Sequence, residues 1–71
     1  MNRESVTSSN LSSVGYDPQA QTLEIEFNNG GLYQYFDVPN SIYTGLMSAD
    51  SHGKYFDVYI KKAGYRFKKI R

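Results

Sequence analysis

The most constraining stretch of the chain is residues 22–39, TLEIEFNNGGLYQYFDVP. From Thr22 to Phe27 polar and apolar residues alternate, which is the period-two pattern of a strand with one buried face. The Asn28-Asn29-Gly30-Gly31 segment follows, and Asn-Gly is the pair that favours a tight hairpin turn with positive φ angles. The returning strand ends at Pro39, because proline cannot donate to the ladder. The sequence therefore predicts a β-hairpin.

Two registers of this hairpin are compatible with the pattern, and they place the tyrosines of the returning strand on opposite faces. A two-residue Asn29-Gly30 loop leaves Tyr33 and Tyr35 on the outer face and puts three apolar residues into the core: Leu32, Phe36 and Val38. A bulge at Gly31 shifts the pairing by one residue and turns both tyrosines inward. We favour the first register because it buries three large apolar side chains at the cost of one glutamine.

The residues before the hairpin predict one more strand. Residues 10–17 carry a weaker alternating pattern, and Asp17-Pro18-Gln19-Ala20 is typical of a turn with proline where its fixed φ fits. Three strands then run consecutively as an antiparallel meander. Residues 1–8 are polar, and we expect a flexible N-terminal segment there, followed by a single domain over residues 9–71.

After Pro39 the spacing of apolar residues becomes helical, which predicts a first helix. Asp50-Ser51 offers the N-cap of a second helix, and Ala63-Gly64 is a stop signal. Residues 65–71 alternate as a final strand does. The predicted order is β-β-β-α-α-β, an α+β fold in which two helices pack on one face of an antiparallel sheet.

Composition limits the location and points to a charged partner. The chain has no cysteine, which excludes disulfides and thiolate metal sites and suits a reducing compartment. The first residues contain no apolar signal region, and no apolar run anywhere in the chain has membrane-spanning length. We therefore expect a cytoplasmic protein with no membrane partner. Residues 1–60 hold all seven acids and two bases, and residues 61–71 hold the other six bases. A basic end on an acidic body favours an anionic partner, or else internal neutralisation.

The order of these features resembles the KTSC domain family, which occurs at the C-terminus of some lysyl-tRNA synthetases and as a free-standing small protein. The resemblance covers about Ser9 to Arg71 and rests on these residues: Ser9, Val14-Gly15-Tyr16-Asp17, Leu23 to Phe27, Tyr33-Gln34-Tyr35, Val38-Pro39, Tyr43, Leu46, Ala49 to Gly53, Tyr55-Phe56, Tyr65-Arg66-Phe67 and Ile70. It implies a complete small domain of bacterial or phage origin. The synthetase context suggests RNA binding by association and not by mechanism.

The candidate catalytic and metal-binding residues do not form a convincing site. Asp50, Ser51 and His52 are adjacent along the backbone, and neighbours cannot readily align as a triad. One histidine without cysteines makes a zinc site improbable. Glu24 and Glu26 share a strand face, but no apolar neighbour marks either carboxyl as a raised-pKa acid. We therefore expect a non-enzymatic protein without metal or cofactor.

The first candidate site pairs aromatic rings with bases, as in surfaces that bind nucleic acid. Tyr33 and Tyr35, if outward, have the spacing used to stack successive RNA bases. The cations of the last strand could contact the phosphate backbone: Arg66, Lys68, Lys69 and Arg71. Glu24 and Glu26 would lie beside the tyrosines and repel phosphates, so the sequence carries evidence against this site as well.

Two alternative functions remain open. Ser51, Gly53 and Lys54 at the start of the second helix could hold an anion or a nucleotide phosphate, since helix N-termini present free N–H groups. That segment is equally well explained as an N-cap. The second alternative is a protein-interaction module, in which the first or last strand pairs with another protein or with a second copy.

Overall fold

The computed structural model describes all of residues 1–71 and consists of one antiparallel sheet with a helical layer on one face. Its strands are β1 (Arg3–Ser5), β2 (Leu11–Asp17), β3 (Thr22–Phe27), β4 (Leu32–Tyr35) and β5 (Phe67–Lys69). They lie in the order β1-β2-β3-β4-β5. The helices are α1 (Asn40–Ser48) and α2 (His52–Phe56), and α2 continues as a π-helical turn over Asp57–Lys61. The predicted α+β meander with two helices is confirmed.

The hairpin between β3 and β4 forms, but the register that we favoured is wrong. Ile25 pairs with Tyr33 and Leu23 with Tyr35, so both tyrosines share the core-facing side of the sheet. The turn is a residue longer than the predicted one: Gly30 N donates to Phe27 O, and Phe27 N donates to Gly31 O. Gly30 has a φ of 91°, and this left-handed residue forms the bulge that shifts the register.

The register also moves the residues that were expected in the core. Leu32 is buried, but it pairs with Glu26 on the opposite face of the sheet. Phe36 lies beyond the strand and outside the buried core, beside the Arg66 guanidinium. Val38 alone reaches the core as predicted, because Asp37 adopts a φ of 58° and redirects the chain before the helix begins.

The helical layer seals one face of the sheet. Leu46 of α1, Phe56 of α2 and Ile60 of the π-helical turn are buried against strand residues such as Ile25 and Leu23. Leu46 is one of the apolar residues at helical spacing after Pro39 that predicted the first helix. Burying apolar side chains between the helices and the sheet supplies the main favourable free energy of folding in so small a domain. Neither helix has the length or the apolar composition needed to cross a lipid bilayer.

Residues 3–5 form an edge strand that the sequence did not predict. Arg3 pairs with Gly15 and Ser5 with Ser13 of β2, so the N-terminal segment, expected to be flexible, contributes to the sheet. The three residues of β1 are polar and exposed. They show no apolar alternation, so the hydrophobic pattern could not predict this strand.

Candidate functional site

An open groove lies between the end of the helical layer and strands β4 and β5. It has a volume of about 990 Å³. Five aromatic rings line it: Phe27, Tyr33, Tyr35, Phe56 and Phe67. We call this feature the aromatic groove. It contains both tyrosines of the predicted site, although they face the helical side of the sheet.

The rings form one continuous cluster that becomes more exposed towards β5. Tyr35 packs edge-on against Phe56 with ring centroids 5.6 Å apart and is 6% exposed. Phe67 lies 5.7 Å from Tyr35 and 6.0 Å from Tyr33, yet it is 60% exposed. The helical layer covers the β3 and β4 part of the sheet and leaves Phe67 open. The accessible stacking surface is therefore Phe67 with the half-buried Tyr33, and not the pair of tyrosines.

Burial changes the acidity of the innermost ring. Burial, with a smaller contribution from the neighbouring Tyr33 hydroxyl, raises the pKa of Tyr35 to about 12. The phenol therefore stays neutral at physiological pH. It contributes an aromatic wall to the groove and no charge.

Two lysines on opposite walls of the aromatic groove have no acidic partner. Lys69 lies on β5 opposite Tyr33, and Lys61 ends the π-helical turn. Both line the groove, and neither forms an ion pair. The acid of the groove, Asp57, is bound to Lys62 at 3.2 Å. The groove thus combines an aromatic floor with two free positive charges.

Two other cations of the predicted site, Arg66 and Lys68, do not line the aromatic groove. Arg66 Nη2 is 2.9 Å from Asp37 Oδ2, and its guanidinium lies 5.5 Å from the centre of the Phe36 ring. Lys68 pairs with Gln34, so it lies on the opposite face of β5 from Lys69. The cations of the last strand therefore do not all share one face, because successive strand residues alternate between faces.

A bulge at the end of β5 removes Arg71 from the alternation. Ile70 N and Arg71 N both donate to Leu32 O, and Leu32 N donates to Arg71 O. Arg71 lies at the hairpin end of the groove, but its guanidinium is held by Glu26 Oε2 at 2.6 Å and Gly30 O at 3.1 Å. Most of its charge is neutralised within the protein.

The outer face of the sheet carries a network around a buried carboxylate. Glu24 is 6% exposed, and it accepts hydrogen bonds from Arg3 Nη1 at 2.7 Å and Gln34 Nε2 at 2.9 Å. Burial acts to raise the pKa of Glu24, but these two hydrogen bonds and the charge of Arg3 outweigh it, so the pKa is lowered. Glu24 is therefore an ionised structural group and not a proton donor.

Glu26 continues this network towards the C-terminus. Ser13 Oγ donates to Glu26 Oε1 at 3.0 Å, and Arg71 bonds the other oxygen. The hydrogen bonds from Ser13 and Arg71 lower the pKa of Glu26. Because the tyrosines face the other side, the two carboxylates do not lie beside the groove rings, and the predicted repulsion of phosphates at that site does not arise there.

The start of α2 has the geometry of an N-cap. Ser51 Oγ accepts a hydrogen bond from Lys54 N at 3.2 Å. A Cβ on Gly53 would overlap the Asn10 side chain, so a loop of the protein occupies the space beside this glycine. His52 Nδ1 lies 2.8 Å from Leu46 O at the end of α1. These contacts give the segment a structural role, and nothing in them points to an anion.

The exposed ring and one of the two free cations of the aromatic groove, Phe67 and Lys61, were not among the predicted site residues. Phe67 was expected only as an apolar residue of the last strand, and its exposure follows from where the helical layer stops. Lys61 is adjacent to Lys62 in the sequence, and only the structure distinguishes the free lysine from the one that Asp57 binds. The useful signal was the Phe67-x-Lys69 alternation, which places a ring and a cation on one face.

Comparison with known proteins agrees with the fold and the family. The KTSC domain profile matches residues 7–65. The chain belongs to the KTSC domain family. An uncharacterized protein of Stutzerimonas stutzeri is 44% identical over 70 residues, covering 99% of both chains. A lysine–tRNA ligase of Nostoc punctiforme is 41% identical over 51 residues, which are 72% of this chain and 9% of the ligase.

A solved structure has the same fold. The crystal structure of a KTSC domain protein from Yersinia pestis superposes with a TM-score of 0.93 at 43% identity. The match covers 99% of this chain and 97% of the Yersinia chain. The KTSC fold therefore extends beyond residues 7–65 of the profile and includes β5.

Proposed function

We propose that this KTSC protein is a non-enzymatic, cytoplasmic module that binds single-stranded RNA in the aromatic groove. The observation that carries the proposal is the pair of free lysines, Lys61 and Lys69, on opposite walls of a groove floored by rings. Bases stack on aromatic faces irrespective of sequence, and lysines attract the phosphates between them. The exposed Phe67 is the stacking surface in this proposal.

Single-stranded RNA fits this groove better than a duplex does. The rings lie between the helical layer and β5, where an unpaired base can enter edge-first. Paired bases expose no ring face, and a double helix is recognised by its shape and backbone. Relatives named lysine–tRNA ligase contain a segment similar to this chain, which supports RNA as the nucleic acid.

A non-enzymatic role is supported by the chemistry of the groove. Its acid, Asp57, is bound to Lys62, and its tyrosine Tyr35 has a raised pKa. The histidine of the chain contacts α1 and not the groove. No nucleophile in the groove is activated by a neighbouring base. Binding is thus the activity that these side chains support.

The proposal is tested by titrating short single-stranded RNA at several salt concentrations. We expect the affinity to fall as salt rises, and Lys69→Gln to reduce the log–log slope by about 0.7, the contribution of one phosphate contact on a single strand. Phe67→Ala should weaken binding by about 5- to 150-fold, from about 1–3 kcal/mol per stacked base.

Lys68→Gln is the matched control, because it removes the same charge from the same strand on the opposite face. Its effect on the slope should be clearly smaller than that of Lys69→Gln. Lys54→Gln tests the start of α2 in the same way. RNA affinity that does not depend on salt, or equal effects of all three substitutions, would count against the aromatic groove as the site.

A further inference from the structure

The free edge of β5 presents unpaired backbone groups at the rim of the aromatic groove. Phe36 N donates to Arg66 O, and Ile70 N donates to Leu32 O. In an antiparallel ladder every second residue bonds to the neighbouring strand. With the observed register, Lys68 also faces β4, whereas the N–H and C=O groups of Phe67 and Lys69 point away from the sheet. An outer edge with two donors and two acceptors is available for pairing.

The two edges of the sheet differ in how they are protected. The edge strand β1 carries charges of both signs, and its Arg3 is bound to Glu24. All three residues of β5 are exposed, including the ring of Phe67. Natural edge strands usually avoid an exposed apolar side chain, because it promotes pairing with another chain. The structure thus leaves one of its two edges suited to a partner strand.

The charge at this edge selects the chemistry of the partner. Lys68 and Lys69 lie on opposite faces of β5, and neither forms an ion pair. Lys61 adds a third free cation on the far wall of the groove. Opposite charges on neighbouring strands attract, and like charges repel. A segment with acidic residues beside the two β5 lysines and an apolar residue beside Phe67 therefore complements this edge.

We propose that β5 accepts an extended acidic segment of a partner protein as a sixth strand. Its backbone pairs with Phe67 and Lys69, and its groove-side side chains cover the exposed ring. The proposal does not depend on RNA binding, because it rests on the strand edge. RNA and the segment would exclude each other, since both contact Lys69.

The experiment is an NMR titration of the whole protein with a capped peptide whose central residues are Glu-Glu-Val. In antiparallel pairing this order places one glutamate beside Lys69, one beside Lys68 and the valine beside Phe67. We expect the amide signals of Phe67 and Lys69 to shift and their hydrogen exchange to slow by about tenfold or more, because both N–H groups become bonded. A peptide with lysine in place of glutamate should not bind. The amides that already bond to β4, such as that of Lys68, should change less.

A proline variant separates strand pairing from simple charge attraction. Lys69→Pro removes an N–H that points away from β4, so the ladder is kept while an added strand loses its donor. Lys69→Ala removes the same charge and keeps the N–H. We expect the proline variant to bind the peptide about tenfold or more weakly, and the alanine variant only a few-fold more weakly. The spectrum of each free variant reports whether it is folded.

Four results would overturn the inference. The β5 amides of the wild-type protein could stay unchanged at saturating peptide, or the shifts could map to another surface. Lys69→Pro, if folded, could bind as well as Lys69→Ala. Protection of the β5 amides that rises with protein concentration alone would mean that a second copy occupies the edge. If the wild-type protein binds the peptide but does not bind RNA, the proposed function is refuted and this inference stands.

Discussion

Arg71 Nη2 lies 2.6 Å from Glu26 Oε2 and ties the last residue of the chain to the centre of the sheet. Arg3, near the other terminus, binds the neighbouring carboxylate on the same face of the sheet, with its Nη1 2.7 Å from Glu24 Oε2. Both chain ends are therefore fixed on the face opposite the helices. Part of the basic C-terminal charge neutralises the acidic body, and three C-terminal lysines remain without an ion pair: Lys61, Lys68 and Lys69.

This arrangement predicts that Arg71 contributes little to RNA binding. In Arg71→Gln, the loss of a cation that Glu26 already neutralises should leave the salt slope of RNA binding unchanged, whereas one phosphate contact accounts for about 0.7. The measurement is the RNA titration at several salt concentrations, with Lys69→Gln as the positive comparison. A slope that falls equally in both variants would place Arg71 on the RNA.

The buried Glu24 predicts a loss of stability in acid. Its pKa in the folded protein is lowered from the ordinary value of 4.5, and the unfolded chain keeps the ordinary value. As the pH falls through this window, the unfolded state takes up the proton first. The stabilisation is therefore complete above the unfolded pKa and is lost as the pH falls through the folded pKa. Urea unfolding between neutral and acid pH measures it.

Glu24→Gln is the control for that window. The variant should be less stable than the wild type at neutral pH, and the difference should shrink as the pH falls through the folded pKa. Glu26 also has a lowered pKa, so the variant keeps part of the acid dependence. A constant difference in the free energy of unfolding at every pH would show that the charge of Glu24 is not the cause.

Tyr35 predicts the opposite behaviour in alkali. Its pKa is about 12 in the folded protein, against about 10 in an unfolded chain. As the pH rises above the unfolded pKa, the unfolded state releases its proton first, and stability is lost up to the folded pKa. A spectroscopic titration should contain a phenol that ionises at about 12, and Tyr35→Phe should remove that step. Tyr16 and Tyr55 also have raised pKa values, so the difference between the two proteins is the readout.

The architecture was predictable because apolar periodicity carries it. The alternation in β3 and the helical spacing around Leu46 each reflect burial in one layer. The stop at Ala63-Gly64 reflects the positive φ of 86° at Gly64. The hairpin register was not predictable from the sequence, because Asn-Gly suits a two-residue turn at Asn29-Gly30 as well as the longer turn with Gly30 in the bulge. One residue of loop length decided which face the tyrosines occupy.

The candidate site was predictable only in part, for a similar reason. The sequence located the rings and the cations, and Tyr33, Tyr35 and Lys69 do meet in one groove. It did not show which cations are neutralised, because the partners of Arg66 and Arg71 lie 29 and 45 residues away. Long-range ion pairs leave no periodic signal.

The register also predicts unequal effects of the same substitution at the two tyrosines. Tyr35→Ala removes a side chain that is 6% exposed and packed on Phe56, which should cost about 3–5 kcal/mol. A domain of this size has a total stability of only about 4–10 kcal/mol, so this substitution should remove a large part of the free energy of unfolding. Tyr33→Ala removes a half-buried ring and should keep the fold while weakening RNA binding. Urea unfolding of both variants measures the difference; equal and small losses would instead indicate that both rings lie on the outer face of the sheet.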